Sequence, residues 1–195
     1  MGALSIDFLV ATAESVLDSE GVDRFHLVGR SMGGLTALLL AERMPDRVLS
    51  LTDIEGNLAP EDCFLSRQVL THPEETDEAF LEAFARRVAR SAERSSALYA
   101  TSVQHKVRPG AVPGIFSSMV ELSDHGRLLE RFLALPMATS FVHGEQSSAL
   151  TYLPRLARAG VSLMEISHSG HWPMYANPVE LWQRVAAFVE EADPR

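Results

Sequence analysis

The feature that most constrains this sequence is a glycine-flanked serine between a short apolar run and a helix-forming segment. Residues 25–28 (Phe-His-Leu-Val) lead into 29–34 (Gly-Arg-Ser-Met-Gly-Gly), and an apolar series follows at 35–41. Gly-x-Ser-x-Gly between a strand and a helix is the form of a nucleophile elbow, a sharp turn that exposes the serine hydroxyl above a sheet. The pattern therefore predicts that Ser31 lies at the apex of such a turn.

The glycines of this turn have predictable roles. A strained serine backbone brings neighbouring chain very close, so we expect a Cβ at Gly29 or Gly33 to clash. Gly34 is expected to let the helix pack tightly against the sheet. The same turn directs the backbone N–H of Met32 toward the serine, which predicts one donor of an oxyanion hole.

Two motifs together resemble the α/β-hydrolase family of serine hydrolases. The first is Gly-Arg-Ser-Met-Gly-Gly followed by Leu-Thr-Ala-Leu, and the second is Ser-Gly-His-Trp-Pro-Met at 169–174, before a final amphipathic helix. The resemblance covers the chain from about Asp7 to its end. It implies an α/β fold with a mostly parallel sheet of the α/β-hydrolase type and an inserted helical cap.

The order of apolar patterns agrees with this fold class. Helical periodicity begins at Ile6, and an apolar strand at 48–54 follows the elbow helix. Between 58 and 136 no strand alternation is visible, which resembles the cap that many α/β-hydrolases insert here. We therefore predict a core formed by 1–57 and 137–195 and a cap formed by 58–136. Further strands are predicted at 137–143 and 161–166, with helices at 149–159 and from Asn177 onward.

Composition limits the partners and the compartment. The 195 residues carry a formal net charge of −9, which argues against a nucleic-acid partner because phosphates require a basic surface. No apolar tract is long enough to cross a bilayer, so no membrane partner is predicted. The first apolar run has no basic stretch ahead of it, and Cys63 is the single cysteine, so a cytoplasmic location is expected.

A serine hydroxyl needs a base, and the sequence offers one in the right place. A histidine is the usual choice because its pKa lies near neutral pH. His171 follows the last predicted strand, where the family places its base, and His168 is the second choice. The histidines show no metal-ligand spacing, so neither a metal nor a cofactor is predicted.

The acid that orients the base is harder to assign. Family members commonly place an aspartate where this chain has Ser147, and a serine supplies no negative charge. Some members, notably haloalkane dehalogenases, take the acid from the end of the strand after the elbow helix, which here points to Glu55. We favour Glu55, and Glu145 is the alternative acid.

A serine nucleophile implies acyl transfer, whereas the dehalogenases and epoxide hydrolases of this fold use an aspartate. The prediction is a serine hydrolase that cleaves a carboxylic ester or related small-molecule acyl substrate, with lactonase and carbon–carbon hydrolase activities left open. Phe64, Phe116 and Met119 are suggested as walls of the substrate pocket.

The family usually has several strands before the elbow, and a loop among them supplies the second oxyanion N–H. This sequence has room for little more than a helix before Phe25, so the fold is expected to be N-terminally shortened. Loss of one oxyanion donor typically lowers turnover by about 100- to 1000-fold. An uncovered strand edge is also expected to favour a homo-oligomer. The alternative function is therefore a non-catalytic binding protein, or an inactive fragment of a longer hydrolase.

Overall fold

A computed structural model describes residues 4–193 apart from 73 and 75. In this part of the chain, parallel strands alternate with helices, as the sequence pattern predicts. The strands are β1 (Phe25–Arg30), β2 (Val48–Ile54), β3 (Ala138–Gly144) and β4 (Ser162–Ile166). The helices are α1 (Ile6–Ser19), α2 (Met32–Arg43), α3 (Gln68–Thr71), α4 (Asp77–Ala89), α5 (Arg94–Lys106), α6 (Val112–His125), α7 (Leu128–Leu133), α8 (Leu153–Arg158), α9 (Pro173–Ala176) and α10 (Pro178–Ala192).

The four strands form one parallel sheet in the order β1-β2-β3-β4. Leu27 pairs with Leu51 of β2, and Thr52 of β2 pairs with Ser140 of β3. Because all four strands run the same way, their carboxyl ends meet at one edge of the sheet. Loops that follow β1, β2, β3 and β4 are therefore brought together at that edge.

Helices cover both faces of the central strands. On one face, Leu51 and Phe141 belong to a buried cluster with residues of α1, α2 and α8. On the other, Ile54 and Val142 pack with Leu181 and other apolar residues of α10. Two-sided burial explains why the strand segments read as nearly continuous apolar runs instead of alternating ones.

Residues between β2 and β3 form helices α3 to α7, with no strand among those the structure describes. Helix α4 packs against α5, and the two share an aromatic and aliphatic cluster that includes Phe80, Phe84 and Val103. Glu82 and Arg86 form an i,i+4 ion pair on the exposed side of α4, with 3.0 Å between the charged groups. This helical segment has the character of the predicted cap, and the exact division at 57/58 and 136/137 remains a prediction.

Strand β1 lies at one edge of the sheet. Its Val28 pairs with Thr52 and so lies on the face that α10 covers further along, yet Val28 is 43% exposed. On its outer side β1 has no described strand beside it, and its face at Val28 is only partly covered. Within the described residues, every helix is too short or too polar to cross a membrane.

Candidate active site

The turn between β1 and α2 places Ser31 at the carboxyl edge of the sheet. Ser31 has φ 51° and ψ −120°, a backbone conformation that L-residues rarely adopt. Its N–H donates to the carbonyl of Ile54, at 2.9 Å, and its carbonyl accepts the first hydrogen bonds of α2. Surrounding hydrogen bonds thus hold a strained serine in place, which is the backbone geometry of a nucleophile elbow.

Close packing around the turn depends on two glycines. A Cβ on Gly29 would lie 2.3 Å from the carbonyl oxygen of Gly33, and one on Gly34 would lie 2.3 Å from Asp53 Oδ1. The roles predicted for Gly29 and Gly34 are therefore confirmed. The prediction for Gly33 is wrong, because a Cβ there would meet no atom within 4 Å. The carbonyl of Gly33 is the group that Gly29 approaches, but a Cβ on Gly33 itself would point into open space.

Ser31 opens into a largely apolar cavity of about 220 Å³. The walls come from the elbow, from the cap and from Trp172, and they include the suggested pocket residues Phe116 and Met119. Met32 also borders this cavity, and its N–H makes no hydrogen bond within the described chain. A free backbone donor at a helix N-terminus beside a serine suits a developing oxyanion. The Ser31 hydroxyl makes no hydrogen bond to any described residue.

His171 lies in the loop after β4, and its ring is paired with a carboxylate. Its Nδ1 is 2.8 Å from Glu55 Oε2, and both side chains are about nine-tenths buried. The other carboxylate oxygen of Glu55 accepts from the N–H of Gly144, at 2.7 Å, at the end of β3. Because an ionised carboxylate only accepts hydrogen bonds, Nδ1 carries the hydrogen and Nε2 of a neutral ring is left as the basic nitrogen.

Glu55 shares the backbone strain of Ser31. Its φ is 46°, in the left-handed region, and its N–H donates to the carbonyl of Val142, at 2.9 Å. Left-handed backbone at a glutamate is unfavourable unless neighbouring contacts enforce it. This turn directs the carboxylate across the end of β3 toward the loop that carries His171.

Burial and charge set the protonation states of the pair. Burial would raise the pKa of Glu55, but the hydrogen bond and charge of His171 and the nearby Ser147 hydroxyl hold that pKa below its ordinary value. Burial and then the Arg30 charge lower the pKa of His171, although Glu55 and Glu93 oppose this. At neutral pH the site therefore contains a carboxylate beside a neutral imidazole.

The alternative acid lies elsewhere. Glu145 Oε2 accepts from the N–H of His168, at 2.8 Å, and is 3.9 Å from Nδ1 of the same residue. Among the described residues, no hydrogen bond joins Glu145 to His171. Ser147, at the position where an aspartate is common, instead borders a small cavity together with Glu55 and His171. The sheet edge thus brings Glu55, and not Glu145, to the imidazole.

Two charged residues that the sequence pattern does not single out hold the backbone of the histidine loop. Arg30 Nη2 donates to the carbonyl of His171, at 2.7 Å, and its guanidinium carbon lies 3.5 Å from the ring centre of Trp172. Glu93 Oε2 accepts from the N–H of His171, at 3.2 Å, and Oε1 accepts from that of Trp172, at 3.3 Å. Arg30 occupies the variable position before the serine in the elbow motif, and this position is the one sequence feature that could have indicated a role for it. Glu93 lies in a charged stretch, and no sequence feature distinguishes it from its neighbours.

A second and more polar cavity, of about 350 Å³, adjoins the ring of His171. The third suggested pocket residue, Phe64, borders it and packs edge-on against His171, with 5.0 Å between the ring centres. Leu65 and Trp172 line both cavities, so the cavity at Ser31 and the cavity at His171 adjoin at these two residues.

Comparisons with known proteins agree with this architecture. Among curated proteins, the putative carbamate hydrolase RutD of Klebsiella pneumoniae is 38% identical over 79 residues, which are 36% of this chain and 30% of that protein. RutD of Azorhizobium caulinodans is 39% identical over 67 residues, 34% of this chain and 25% of its own. The match therefore spans less than a third of the length of these relatives.

Solved structures match over almost the whole chain. A carboxylesterase of the thaumarchaeon Nitrososphaera gargenis superposes with a TM-score of 0.75 at 17% identity, covering 98% of this chain and 74% of the other. An esterase of Thermogutta terrifontis gives 0.65 at 20% identity, with coverage of 99% and 75%. The sequence also matches the model of the alpha/beta hydrolase fold over residues 3–111, more than half of its length. The chain belongs to the α/β hydrolase fold family.

Proposed function

We propose that this chain is a serine hydrolase that cleaves a carboxylic ester or a related acyl substrate through an acyl-enzyme. The observation that carries the proposal is the buried His171–Glu55 hydrogen bond of 2.8 Å, which lies at the same sheet edge as the strained Ser31 turn. A strained serine, a free helix N-terminal donor and a neutral histidine held by a carboxylate are the groups that acyl transfer requires.

In the proposed acylation, Ser31 Oγ attacks the substrate carbonyl while His171 Nε2 takes the hydroxyl proton. Negative charge then develops on the carbonyl oxygen, where the Met32 N–H donates a hydrogen bond. As the tetrahedral intermediate collapses, the imidazolium returns the proton to the leaving group and the bond to that group breaks. Water, deprotonated by the same nitrogen, hydrolyses the Ser31 ester and restores the free serine.

Glu55 has an electrostatic part in this scheme. Its carboxylate holds the Nδ1–H tautomer, so that Nε2 is the nitrogen that receives the proton. The negative charge also stabilises the imidazolium that forms when Ser31 attacks. His171 is neutral before the reaction because burial and Arg30 lower its pKa, which leaves Nε2 able to act as a base at neutral pH.

The cavity at Ser31 favours an apolar acyl group. Aromatic side chains of the cap, Phe84, Tyr99 and Phe116, line it together with Met119. Burial of an apolar chain against such walls is worth about 25 cal/mol per Å² of apolar surface. The curated relatives carry the name carbamate hydrolase, and a carbamate presents the same kind of carbonyl carbon to a serine, so carbamates belong beside esters in a substrate screen.

A fluorophosphonate probe, which forms a covalent bond with an activated serine, tests the proposal. We expect Ser31 of the wild-type chain to displace fluoride and gain the mass of one probe minus HF, and Ser31→Ala and His171→Ala to remain unlabelled over the same time. Hydrolysis of p-nitrophenyl esters and carbamates of increasing acyl length then tests turnover.

The alternative is a non-catalytic relative or an inactive fragment. It predicts that the wild-type chain is labelled no faster than Ser31→Ala, although a substrate-like ester still binds. That outcome would refute catalysis by this polypeptide. Circular dichroism melts of all variants ensure that a loss of labelling is not a loss of folding.

A further inference from the structure

The backbone around His171 is held by two opposite charges from distant parts of the chain. Arg30 ends β1 beside the serine and donates to the carbonyl of His171. Glu93 lies between α4 and α5 and accepts from the N–H groups of His171 and Trp172. The hydroxyl of Ser95 also donates to the Glu93 carboxylate. The backbone N–H and the backbone carbonyl of His171 are therefore both held by charged side chains.

Such an arrangement is demanding for a loop. Buried backbone groups outside helices and strands need hydrogen-bond partners, and neutral side chains or neighbouring backbone usually supply them. Here a largely buried guanidinium takes that role, and burial lowers the pKa of Arg30 to about 10. The faces of Trp172 and Tyr99 lie 3.5 Å and 5.8 Å from its central carbon and offset part of the lost hydration. Because burying the charge of Arg30 is unfavourable, we infer that this residue does more than supply a hydrogen-bond donor to the loop.

We propose that Arg30 and Glu93 are positioning residues for the base, which hold the backbone of His171 from opposite sides and so keep its ring paired with Glu55. The inference rests on the proposed function, because it assigns how the base of that reaction is held. Neither side chain is assigned a contact with the reacting atoms.

The two side chains also change the proton affinity of the His171 imidazole, and the sign of each effect follows from the charges that face the ring. Arg30, from β1, disfavours the imidazolium and lowers the pKa of His171, whereas Glu55, after β2, and Glu93, from the cap, favour it. Two more carboxyl groups, Glu61 and Asp62, border the small cavity next to the ring. Removal of the Arg30 charge should therefore raise the pKa of His171, and removal of the Glu93 charge should lower it.

The position of Glu93 gives the arrangement a second consequence. Glu93 belongs to the segment between β2 and β3, and Trp172 packs into the cluster of that segment, where its indole N–H donates to Ser96, at 3.0 Å. The loop of the base is thus attached both to the elbow strand and to the cap. A displacement of the cap that moves Glu93 also moves the backbone of His171.

The test compares Arg30→Gln and Glu93→Gln with wild type in the pH profile of kcat/KM for a p-nitrophenyl ester. The acid limb of this profile reports the pKa of the base in the free enzyme. We expect the limb to move to higher pH in Arg30→Gln and to lower pH in Glu93→Gln. We also expect kcat to fall by about 10- to 100-fold in each, because the ring is less well placed. Arg30→Lys, which keeps the charge, should return the limb toward its wild-type position.

The controls are Arg90→Gln and Glu121→Gln, which make the same changes at exposed positions of α4's end and of α6. They should leave the acid limb in place. If Arg30→Gln and Glu93→Gln lower activity while the limb stays fixed, or if both move it the same way, the proposal is overturned. Should Arg30→Gln fail to fold, Glu93→Gln alone decides the sign, because Glu93 is only partly buried.

A second measurement separates this inference from the proposed function. The imidazole resonance of His171, assigned by comparison with His171→Asn, can be titrated by NMR in chains that show no turnover. Opposite shifts of its pKa in Arg30→Gln and Glu93→Gln support the positioning role even where fluorophosphonate labelling fails. Unchanged titration in both variants overturns it, even where labelling succeeds.

Discussion

Replacement of Glu55 by glutamine is the sharpest perturbation of this site. One carboxylate oxygen accepts from the Gly144 N–H, at 2.7 Å, and the other from His171 Nδ1, at 2.8 Å. An amide has a single oxygen, so Glu55→Gln satisfies only one of these two donors. If the oxygen faces Gly144, the amide group donates to Nδ1 and moves the imidazole hydrogen to Nε2. If it faces His171, a buried N–H of Gly144 loses its acceptor.

The magnitude follows from these two cases. The first removes the basic nitrogen from the serine side and also removes the charge that stabilises the imidazolium, which in comparable triads lowers kcat by about 10⁴-fold. That factor corresponds to about 5.5 kcal/mol of transition-state stabilisation. The second costs about 1 to 3 kcal/mol of folding free energy, for an unsatisfied buried donor. We expect kcat to fall by at least about 1000-fold, with a smaller loss of stability.

The assay is ester hydrolysis under saturating substrate, with fluorophosphonate labelling as a second readout that needs no turnover. Glu55→Gln combined with Ser147→Asp is the informative double variant, because Ser147 borders the same small cavity as Glu55 and His171. A carboxylate restored there should recover part of the lost kcat, whereas Ser147→Asn in the same background should not. A Glu55→Gln chain with kcat within about tenfold of wild type would show that this carboxylate does not orient the base.

Packing around the elbow and exposure of the sheet edge give three further predictions. Gly34→Ala should lower the unfolding free energy by about 1 to 3 kcal/mol in thermal melts, because its Cβ would lie 2.9 Å from Gly56 Cα and closer still to Asp53. Gly33→Ala, with open space at its Cβ, is the matched control and should not destabilise the fold. Burial raises the pKa of Asp53 far above its ordinary value, so the folded state keeps a proton that the unfolded chain has lost above about pH 4. Stability therefore falls as pH rises above about pH 4 toward the raised pKa of Asp53. Asp53→Asn should flatten this decline when Tm is measured between about pH 5 and pH 8. An equally steep decline in the variant would contradict the raised pKa of Asp53. Finally, the uncovered edge of β1 should make the mass measured by light scattering rise with concentration, and Val28→Lys should suppress that rise; a monomer at all concentrations argues against association through this edge.

The arrangement of strands and helices was predictable because each buried strand stands out as a short apolar run. The predicted bounds of β2, 48–54, match the structure, and β3 and β4 differ by one residue at their ends. Strand β1 runs two residues further than predicted, since Gly29 and Arg30 pair with β2 although neither is apolar. The helix predicted at 149–159 is shorter, Leu153–Arg158, because turns occupy the residues before Pro154.

The site was less predictable where its residues act through the backbone. Ser31 and His171 carry motif signals, and Glu55 was favoured because some members of the resembled family take the acid from the end of this strand. Arg30 and Glu93 bind main-chain groups of the histidine loop, and such contacts leave no spacing rule in a sequence. Their distance from His171 along the chain, 141 and 78 residues, is bridged only by the folded cap and sheet.

The position of Glu55 shows why a carboxylate at the end of β2 can replace one after β3. The two strands are neighbours in a parallel sheet, so their carboxyl ends lie side by side, and the loop of His171 packs on the end of β3 at Gly144. From β2 the side chain must reach across β3, which the left-handed turn at Glu55 and the hydrogen bond from the Gly144 N–H make possible. Gly144 in turn leaves no room for a Cβ, which would lie 2.5 Å from the carbonyl oxygen of Ser169. A substitution at Gly144 should therefore disturb the Glu55–His171 pair as surely as a change in either partner, although Gly144 carries no functional group.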